Sequence, residues 1–183
     1  MKIIAGDLKG KVLTYPQKGL RPTTDKIRGA IFNIIEANFR MLLNNASVCD
    51  IFAGAGAVGI EALSRGADKA VFIENHKTTL KYLEENLVGL EAKTLIIPVD
   101  AQKALDRISK EKFDLIFLDP PYNMGLVEPV INKITEYKML DKNGVIIIEH
   151  HKKEQFLIPD TMLTFKRKEY NDTIISILIY KGA

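Results

Sequence analysis

From residue 46 onward, short apolar runs alternate with stretches whose apolar positions recur every three or four residues. Runs at 47–52, 69–73, 94–98, 114–118 and 144–149 are rich in Ile, Val, Leu and Phe. Near-continuous apolar runs of this length predict strands buried on both faces. Between them, 57–66, 77–90, 101–109 and 126–138 carry helical spacing. The alternation predicts a parallel sheet with helices on both sides. The tail breaks the rhythm: Met162–Tyr170 and Thr173–Tyr180 flank Asn171-Asp172. That pattern predicts a closing antiparallel hairpin and completes an α/β chain of seven strands.

The first 45 residues are patterned differently. Ile3-Ile4 and Val12-Leu13 lie on either side of Gly6 and Gly10, predicting a β-hairpin with its turn near Asp7–Gly10. Arg21-Pro22-Thr23-Thr24-Asp25 reads as a helix entrance: a proline corner, a threonine cap and an acid in the first turn. Ile27, Ala30, Ile31, Ile34 and Ile35 follow at helical spacing, predicting a helix over about 24–43. The whole of 1–183 is expected to be one domain, with 1–45 as an N-terminal extension on a 46–183 core.

Charge changes the picture for that extension. The chain carries +3, yet residues 1–45 hold eight Lys/Arg against three acids, leaving the remainder at −2. A basic end on a near-neutral body has the electrostatic outline of a polyanion binder, although a solvated lysine surface would look the same. Lys9, Lys11, Arg21, Thr23, Lys26 and Arg28 are the candidate contacts to a phosphate backbone. The one cysteine, Cys49, excludes a disulfide framework, and three scattered histidines suggest no metal site. The chain shows no signal-peptide pattern and no apolar run of membrane-spanning length, so a cytoplasmic protein is expected.

Candidate chemistry sits at the predicted strand ends. Asp50-Ile51-Phe52-Ala53-Gly54-Ala55-Gly56-Ala57-Val58-Gly59 follows the first core strand and contains a complete G-x-G-x-x-G. Glu74, with Asn75 after it, stands 20 residues past Gly54, where an acid can accept bonds from ribose hydroxyls. A nicotinamide dinucleotide therefore remains open at this point. Asp50 argues against it, because a carboxylate four residues before the first glycine repels a pyrophosphate and suits a cationic ligand with a free amine. Asp100-Ala101 could contact an adenine edge, or Asp100 could simply cap a helix. Asp50, Glu74, Asp100 and Asp119 are acids at successive strand ends, without a dedicated phosphate-binding lysine. That set favours S-adenosylmethionine, which has a sulfonium, an α-amine and a ribose. Asp119-Pro120-Pro121-Tyr122 closes the fourth strand with a stiff corner carrying one carboxylate and one ring. Such a corner can hold a planar group bearing an amine.

Asp50-x-Phe52-x-Gly54-x-Gly56, Glu74 and Asp119-Pro120-Pro121-Tyr122, in this order, resemble the Rossmann-like amino-methyltransferases. Arg21 to Arg28 followed by Ile31-Phe32-Asn33 resembles the RsmD family within that group. Ile3-Ile4-Ala5-Gly6, Lys9-Gly10-Lys11 and Ile60-Glu61-Ala62-Leu63-Ser64-Arg65 support the likeness, which spans essentially the whole chain. It implies a Rossmann-like methyltransferase fold and methylation of a guanine N2 in small-subunit ribosomal RNA, using S-adenosylmethionine. It further implies cofactor contacts from Asp50, Phe52, Ala53, Gly54, Gly56, Glu74, Asn75, Asp100, Ala101 and Asp119, and catalysis at Asp119, Pro120, Pro121 and Tyr122. The expected partner is ribosomal RNA, free or within an assembled small subunit, with the enzyme a monomer or weak homodimer. Gly29 departs from the family, which usually has a glutamate there. Other amine substrates stay open: adenine or cytosine in DNA or RNA, or a protein glutamine. A nicotinamide oxidoreductase and a non-catalytic RNA-binding domain are the rivals from other classes.

Overall fold

The computed structural model describes residues 1–16 and 25–182. Among these, the chain forms α1 (Asp25–Asn38), β1 (Ser47–Ile51), α2 (Ala57–Ser64), β2 (Lys69–Ile73), α3 (Lys77–Asn86), β3 (Thr94–Ile97), α4 (Ala101–Arg107), β4 (Phe113–Leu118), α5 (Val127–Glu136), β5 (Leu140–His151), β6 (Met162–Tyr170) and β7 (Thr173–Tyr180). The seven strands form one sheet in the order β3-β2-β1-β4-β5-β7-β6. The first five are parallel, β7 runs antiparallel to β5, and β6 pairs antiparallel with β7. No helix among the described residues is long and apolar enough to cross a membrane.

The apolar runs are continuous because alternate side chains feed two different cores. Val48, Leu115, Phe117, Val145 and Ile147 face α1, α2 and α3. Cys49, Ile51, Ile116, Leu118, Ile146 and Ile148 face α4 and α5. A period of two on a sheet covered on both sides leaves no polar position to break the run.

Chain order makes the site. After β3 the chain crosses to the other side of β1, so β1 and β4 are neighbours whose helices leave in opposite directions. Such a reversal opens a crevice at the carboxyl ends of the strands. Ile51 pairs with Leu118, and the Asp119 N–H reaches the Ile51 carbonyl at 3.4 Å. The glycine turn after β1 and the proline corner after β4 therefore lie side by side.

Three elements differ from expectation. The helix expected over 24–43 stops at Asn38, whose side-chain amide donates to the Ile34 carbonyl at 2.7 Å. The later apolar residues, Leu42 and Leu43, pack from a turn instead. β5 begins four residues early because Leu140 pairs with Phe113 ahead of the polar Asp141-Lys142-Asn143, which hides that pairing from an apolar pattern. α3, expected over 77–90, ends at Asn86. The N-terminal hairpin forms as expected, with its turn between Gly6 and Gly10, a Lys2 to Val12 bridge, and the Ile3 and Leu13 N–H groups donating to the Lys11 and Met1 carbonyls at 3.0 Å each.

Side chains of α2 tie the hairpin to the core. Glu61 accepts the Ile4 and Ala5 N–H groups at 2.8 and 3.0 Å. The Ser64 hydroxyl accepts the Leu8 N–H at 2.9 Å and donates to the Ala5 carbonyl. Arg65 meets Glu61 at 2.8 Å. Residues 61, 64 and 65 share one helix face. Gly6 is pressed so close that a β-carbon there would lie 1.7 Å from the Ser64 carbonyl oxygen.

Gly29 has no such constraint. A β-carbon there meets only Ile4 Cδ1, at an ordinary 3.7 Å, and α1 loses helix stability to the glycine. Gly29→Ala is expected to raise stability by about 0.5–1 kcal/mol in urea unfolding, with unchanged dependence on denaturant.

Candidate active site

A cleft of about 700 Å³ opens where β1, β2 and β4 end. Its wall takes in Asp50, Phe52, Ala53 and Gly54 from the first turn, Glu74 and Asn75 from the end of β2, and Asp119, Pro120, Pro121 and Tyr122 from the proline corner. Residues far apart in sequence and read as one candidate set thus border one space.

The turn after β1 depends on backbone that side chains rarely allow. Phe52 has φ 65° although it is not glycine, Gly54 has φ 57° and Gly56 φ 82°. A β-carbon on Gly54 would meet nothing within 4 Å, so its surroundings are open and glycine is required there by conformation. Gly56 is crowded as well: a β-carbon would come within 2.6 Å of Leu83. It sits behind the turn, at the start of α2, and does not line the cleft. Gly59 lets α2 pack on β2, where a β-carbon would lie 2.3 Å from the Phe72 ring.

That close packing brings the Gly59 N–H to Asp50 Oδ2 at 2.9 Å. Asp50 is almost fully buried at 1% exposure, and burial pushes its carboxyl up to about 7 against the opposing pull of that N–H. The nearby Glu74 carboxylate adds to the rise. Glu74 itself braces the turn: Oε2 accepts the Gly54 N–H at 2.9 Å and Oε1 the His76 N–H at 2.7 Å.

The second wall is a local consequence of proline. The corner leaves β4 with Asp119 half-buried, Pro120 buried and Pro121 exposed. Tyr122 reaches across to β5 and β7, its hydroxyl 3.3 Å from Glu149 Oε1 and 3.0 Å from Thr173 Oγ1. Its ring lies 5.6 Å from that of His151, tilted by 52°.

Several expected contacts fall elsewhere. Asp100 and Ala101 are not among the residues that line the cleft. The Asp100 side chain caps α4, accepting the Gln102 and Lys103 N–H groups, and Ala101 is buried beneath it. Arg28 is a correction to the backbone-binding set: it is fully buried, 3.4 Å from the equally buried Glu61 and 3.0 Å from Asp25 Oδ1, and it also donates to the Lys2 carbonyl. The spacing carried the signal, because Arg28 stands three, four and seven residues before Ile31, Phe32 and Ile35 and so continues the buried stripe. Lys9 and Lys26 are exposed, and Lys11 is half-buried with its ammonium 3.4 Å from the Val88 carbonyl. Arg21 and Thr23 lie outside the described residues.

Sequence reading missed one wall altogether. Met1, Tyr15 and Pro16 line the cleft, together with His76, Thr78 and Thr79 at the start of α3. The buried Asn86 side chain brings the N-terminal segment there. It accepts the Thr14 N–H at 2.9 Å and donates to the Thr14 and Ala55 carbonyls, each at 2.9 Å. A lone asparagine at the end of a helix gives no hint of this.

Charge decides which ligands the cleft can take. Among the described residues, its lining includes three carboxylates, Asp50, Glu74 and Asp119, and neither lysine nor arginine. A pyrophosphate would meet net repulsion; a ligand carrying cationic groups would not. Buried Cys49 behaves as a small apolar residue, burial pushing its thiol well up and out of the nucleophilic range. Among the described residues there is no cluster of three or more potential metal ligands.

Comparison with known proteins agrees with this reading. The family described as conserved hypothetical protein 95 matches residues 1–179. The chain is 35% identical over 171 residues to ribosomal RNA small subunit methyltransferase D of Buchnera aphidicola subsp. Acyrthosiphon pisum, covering 92% of this chain and 87% of the relative. It is 33% identical over 187 residues to the protein of that name from Haemophilus influenzae, covering 100% and 94%. The solved structure of Escherichia coli yhhF superposes with a TM-score of 0.85 at 30% identity, covering 100% and 99% of the two chains.

Proposed function

Because the chain belongs to the RsmD family of small-subunit ribosomal RNA methyltransferases, we propose that it methylates the exocyclic amine of a guanine in that RNA. The observation that carries the cofactor assignment is the cleft lined by the Asp50, Glu74 and Asp119 carboxylates, placed over a glycine turn. S-adenosylmethionine fits it: Asp50 suits the α-amine, Glu74 the ribose hydroxyls, and the open space around Gly54 leaves room for the ligand to approach the backbone. When bound, the cofactor supplies a methyl group on a sulfonium, open to direct displacement by an amine.

The residues of the proline corner prepare that amine. Resonance into the purine ring makes the guanine N2 a poor nucleophile. The Asp119 carboxylate and the Pro120 carbonyl accept hydrogen bonds from its two N–H groups, which leaves the nitrogen lone pair directed into the cleft. Asp119 takes the one proton the nitrogen sheds as it gains the methyl group. Tyr122 stacks on the base, an interaction worth roughly 1–3 kcal/mol. That offsets much of the few kcal/mol needed to draw a base out of its stack. Lys9, Lys11 and Lys26 hold the RNA backbone, an interaction that orients without reading sequence. RNA affinity is expected to fall steeply with added salt, and further in a Lys9→Ala, Lys11→Ala double variant. Affinity indifferent to salt would remove these lysines from the interface.

The raised Asp50 carboxyl gives the cofactor site a pH dependence. Its value of about 7 leaves it mostly protonated at pH 6 and mostly ionised at pH 8. A cationic amine binds the ionised form, so affinity rises with pH. Calorimetric titration with S-adenosylhomocysteine, which keeps the amine, is expected to show about a tenfold gain over that interval. Asp50→Asn is expected to flatten the profile.

The deciding experiment is transfer of labelled methyl from S-adenosylmethionine to small-subunit particles and to free ribosomal RNA, followed by nucleoside analysis. N2-methylguanine supports the proposal; label in adenine, cytosine or protein glutamine assigns another amine to the same corner. Absence of transfer to either substrate, with the cofactor bound, would overturn it.

A further inference from the structure

The tyrosine of the proline corner has a problem that the corner alone does not solve. Two prolines stiffen the backbone before it, but Tyr122 keeps two side-chain torsions and borders an open cleft. A ring free to sweep would present its face to a base only part of the time.

Its tip is caught on the far strands. Thr173 opens β7, is fully buried and pairs with His151 across the ladder. Glu149, two residues earlier on β5, is 4% exposed. The phenolic oxygen lies between them, 3.0 Å from Thr173 Oγ1 and 3.3 Å from Glu149 Oε1. A carboxylate only accepts, so the chain has one direction: the Thr173 hydroxyl donates to the Tyr122 oxygen, and the Tyr122 hydroxyl donates to Glu149. These partners stand 51 and 27 residues from Tyr122 in sequence. The strand bearing Thr173 is the antiparallel one, which lies beyond β5 and itself contributes no lining residue to the cleft.

We infer that Glu149 and Thr173 are positioning residues for methyl transfer, fixing the Tyr122 ring through its hydroxyl at the angle that stacks the target base. The inference rests on the functional reading above. It assigns to the closing hairpin a part in the reaction besides completing the sheet. Loss of the anchor should act on turnover and on the nucleic-acid substrate, leaving the cofactor side of the cleft alone.

Tyr122→Phe, Thr173→Val, their double variant and Thr173→Ser test this, using particle methylation, S-adenosylhomocysteine calorimetry and NMR of protein labelled with ¹³Cζ-tyrosine. Misplacement of a substrate-contacting group by about an ångström can reduce rates up to about 100-fold, so Thr173→Val and Tyr122→Phe are each expected to lower kcat/KM for particles about tenfold. Cofactor affinity should stay within about twofold. The double variant should fall no further than the worse single one, since both remove the same bond. Thr173→Ser should restore activity, and Thr173→Val should shift the Tyr122 Cζ resonance, assigned by its loss in Tyr122→Phe. Unchanged kcat/KM in Thr173→Val, or multiplying losses in the double variant, would overturn the inference. If Thr173→Val does not fold, Glu149→Gln replaces it, and an unmoved Tyr122 resonance there overturns the inference equally. If the wild-type protein transfers no methyl to particles or to free ribosomal RNA, the functional reading fails, and the resonance still decides whether the anchor exists.

Discussion

Asp119→Ala is expected to lower methyl transfer by about 10²–10⁴-fold, the range for loss of a side chain that handles protons at the reacting group. Affinity for S-adenosylhomocysteine should change far less, because Asp50, Glu74 and the glycine turn remain. The expectation follows from where Asp119 sits. It continues β4 past Leu118, beside the carboxyl end of β1, and borders the cleft with Tyr122 two prolines later. Alanine leaves the corner standing and removes the one carboxylate it contains. Calorimetry and single-turnover transfer on the same preparation separate the two effects. Wild-type turnover in a variant that binds cofactor normally would remove Asp119 from the reaction.

Glu61→Ala is the second large effect, and it acts on stability. Glu61 is fully buried and takes the Ile4 and Ala5 N–H groups, the Arg65 guanidinium and Arg28. Alanine leaves the buried Arg28 charge without this carboxylate. Breaking a buried pair from one side typically costs 3–5 kcal/mol, a large part of the roughly 5–15 kcal/mol that holds a domain folded. Urea unfolding measures the loss directly. Replacing both partners with apolar residues of similar size, Glu61→Leu with Arg28→Met, is expected to recover the part due to the stranded Arg28 charge, while the Ile4 and Ala5 N–H groups stay without Glu61. A loss under about 1 kcal/mol in Glu61→Ala would mean that Arg28 finds water once Glu61 is gone. The same change frees the hairpin, so Met1, which lines the cleft, should also become more mobile, seen as faster amide exchange at Ile3 and Leu13.

Both predictions bear on what could be read in advance. The Asp119 corner was legible because its information is local: an apolar strand, two residues with fixed φ, then an aromatic. Glu61, Ser64 and Arg65 stood out as part of a family likeness, but their role did not, since it lies in bonds to a hairpin more than fifty residues away. Asp100 was open to two readings, and the structure gives it the helix cap, a role set by its own next two amides. Lys26 and Arg28 look alike by charge, yet one is in solvent and the other buried. Only the position on the helix face separates them, and the cost of burying a guanidinium hides it until Glu61 is seen opposite.

Strand and helix positions, the parallel sheet, the closing hairpin and the two turns that border the cleft were thus written in the linear order of residues. Periods of two and 3.6, and the φ limits of glycine and proline, act over a few neighbours. Contact across the fold decided the rest. Asn86 sets the N-terminal wall, Gly59 packs α2 close enough for its N–H to reach Asp50, and Glu149 and Thr173 hold the tyrosine. Each is a hydrogen bond or a close approach between distant segments, whose partner exists only once the sheet has brought its strand ends together.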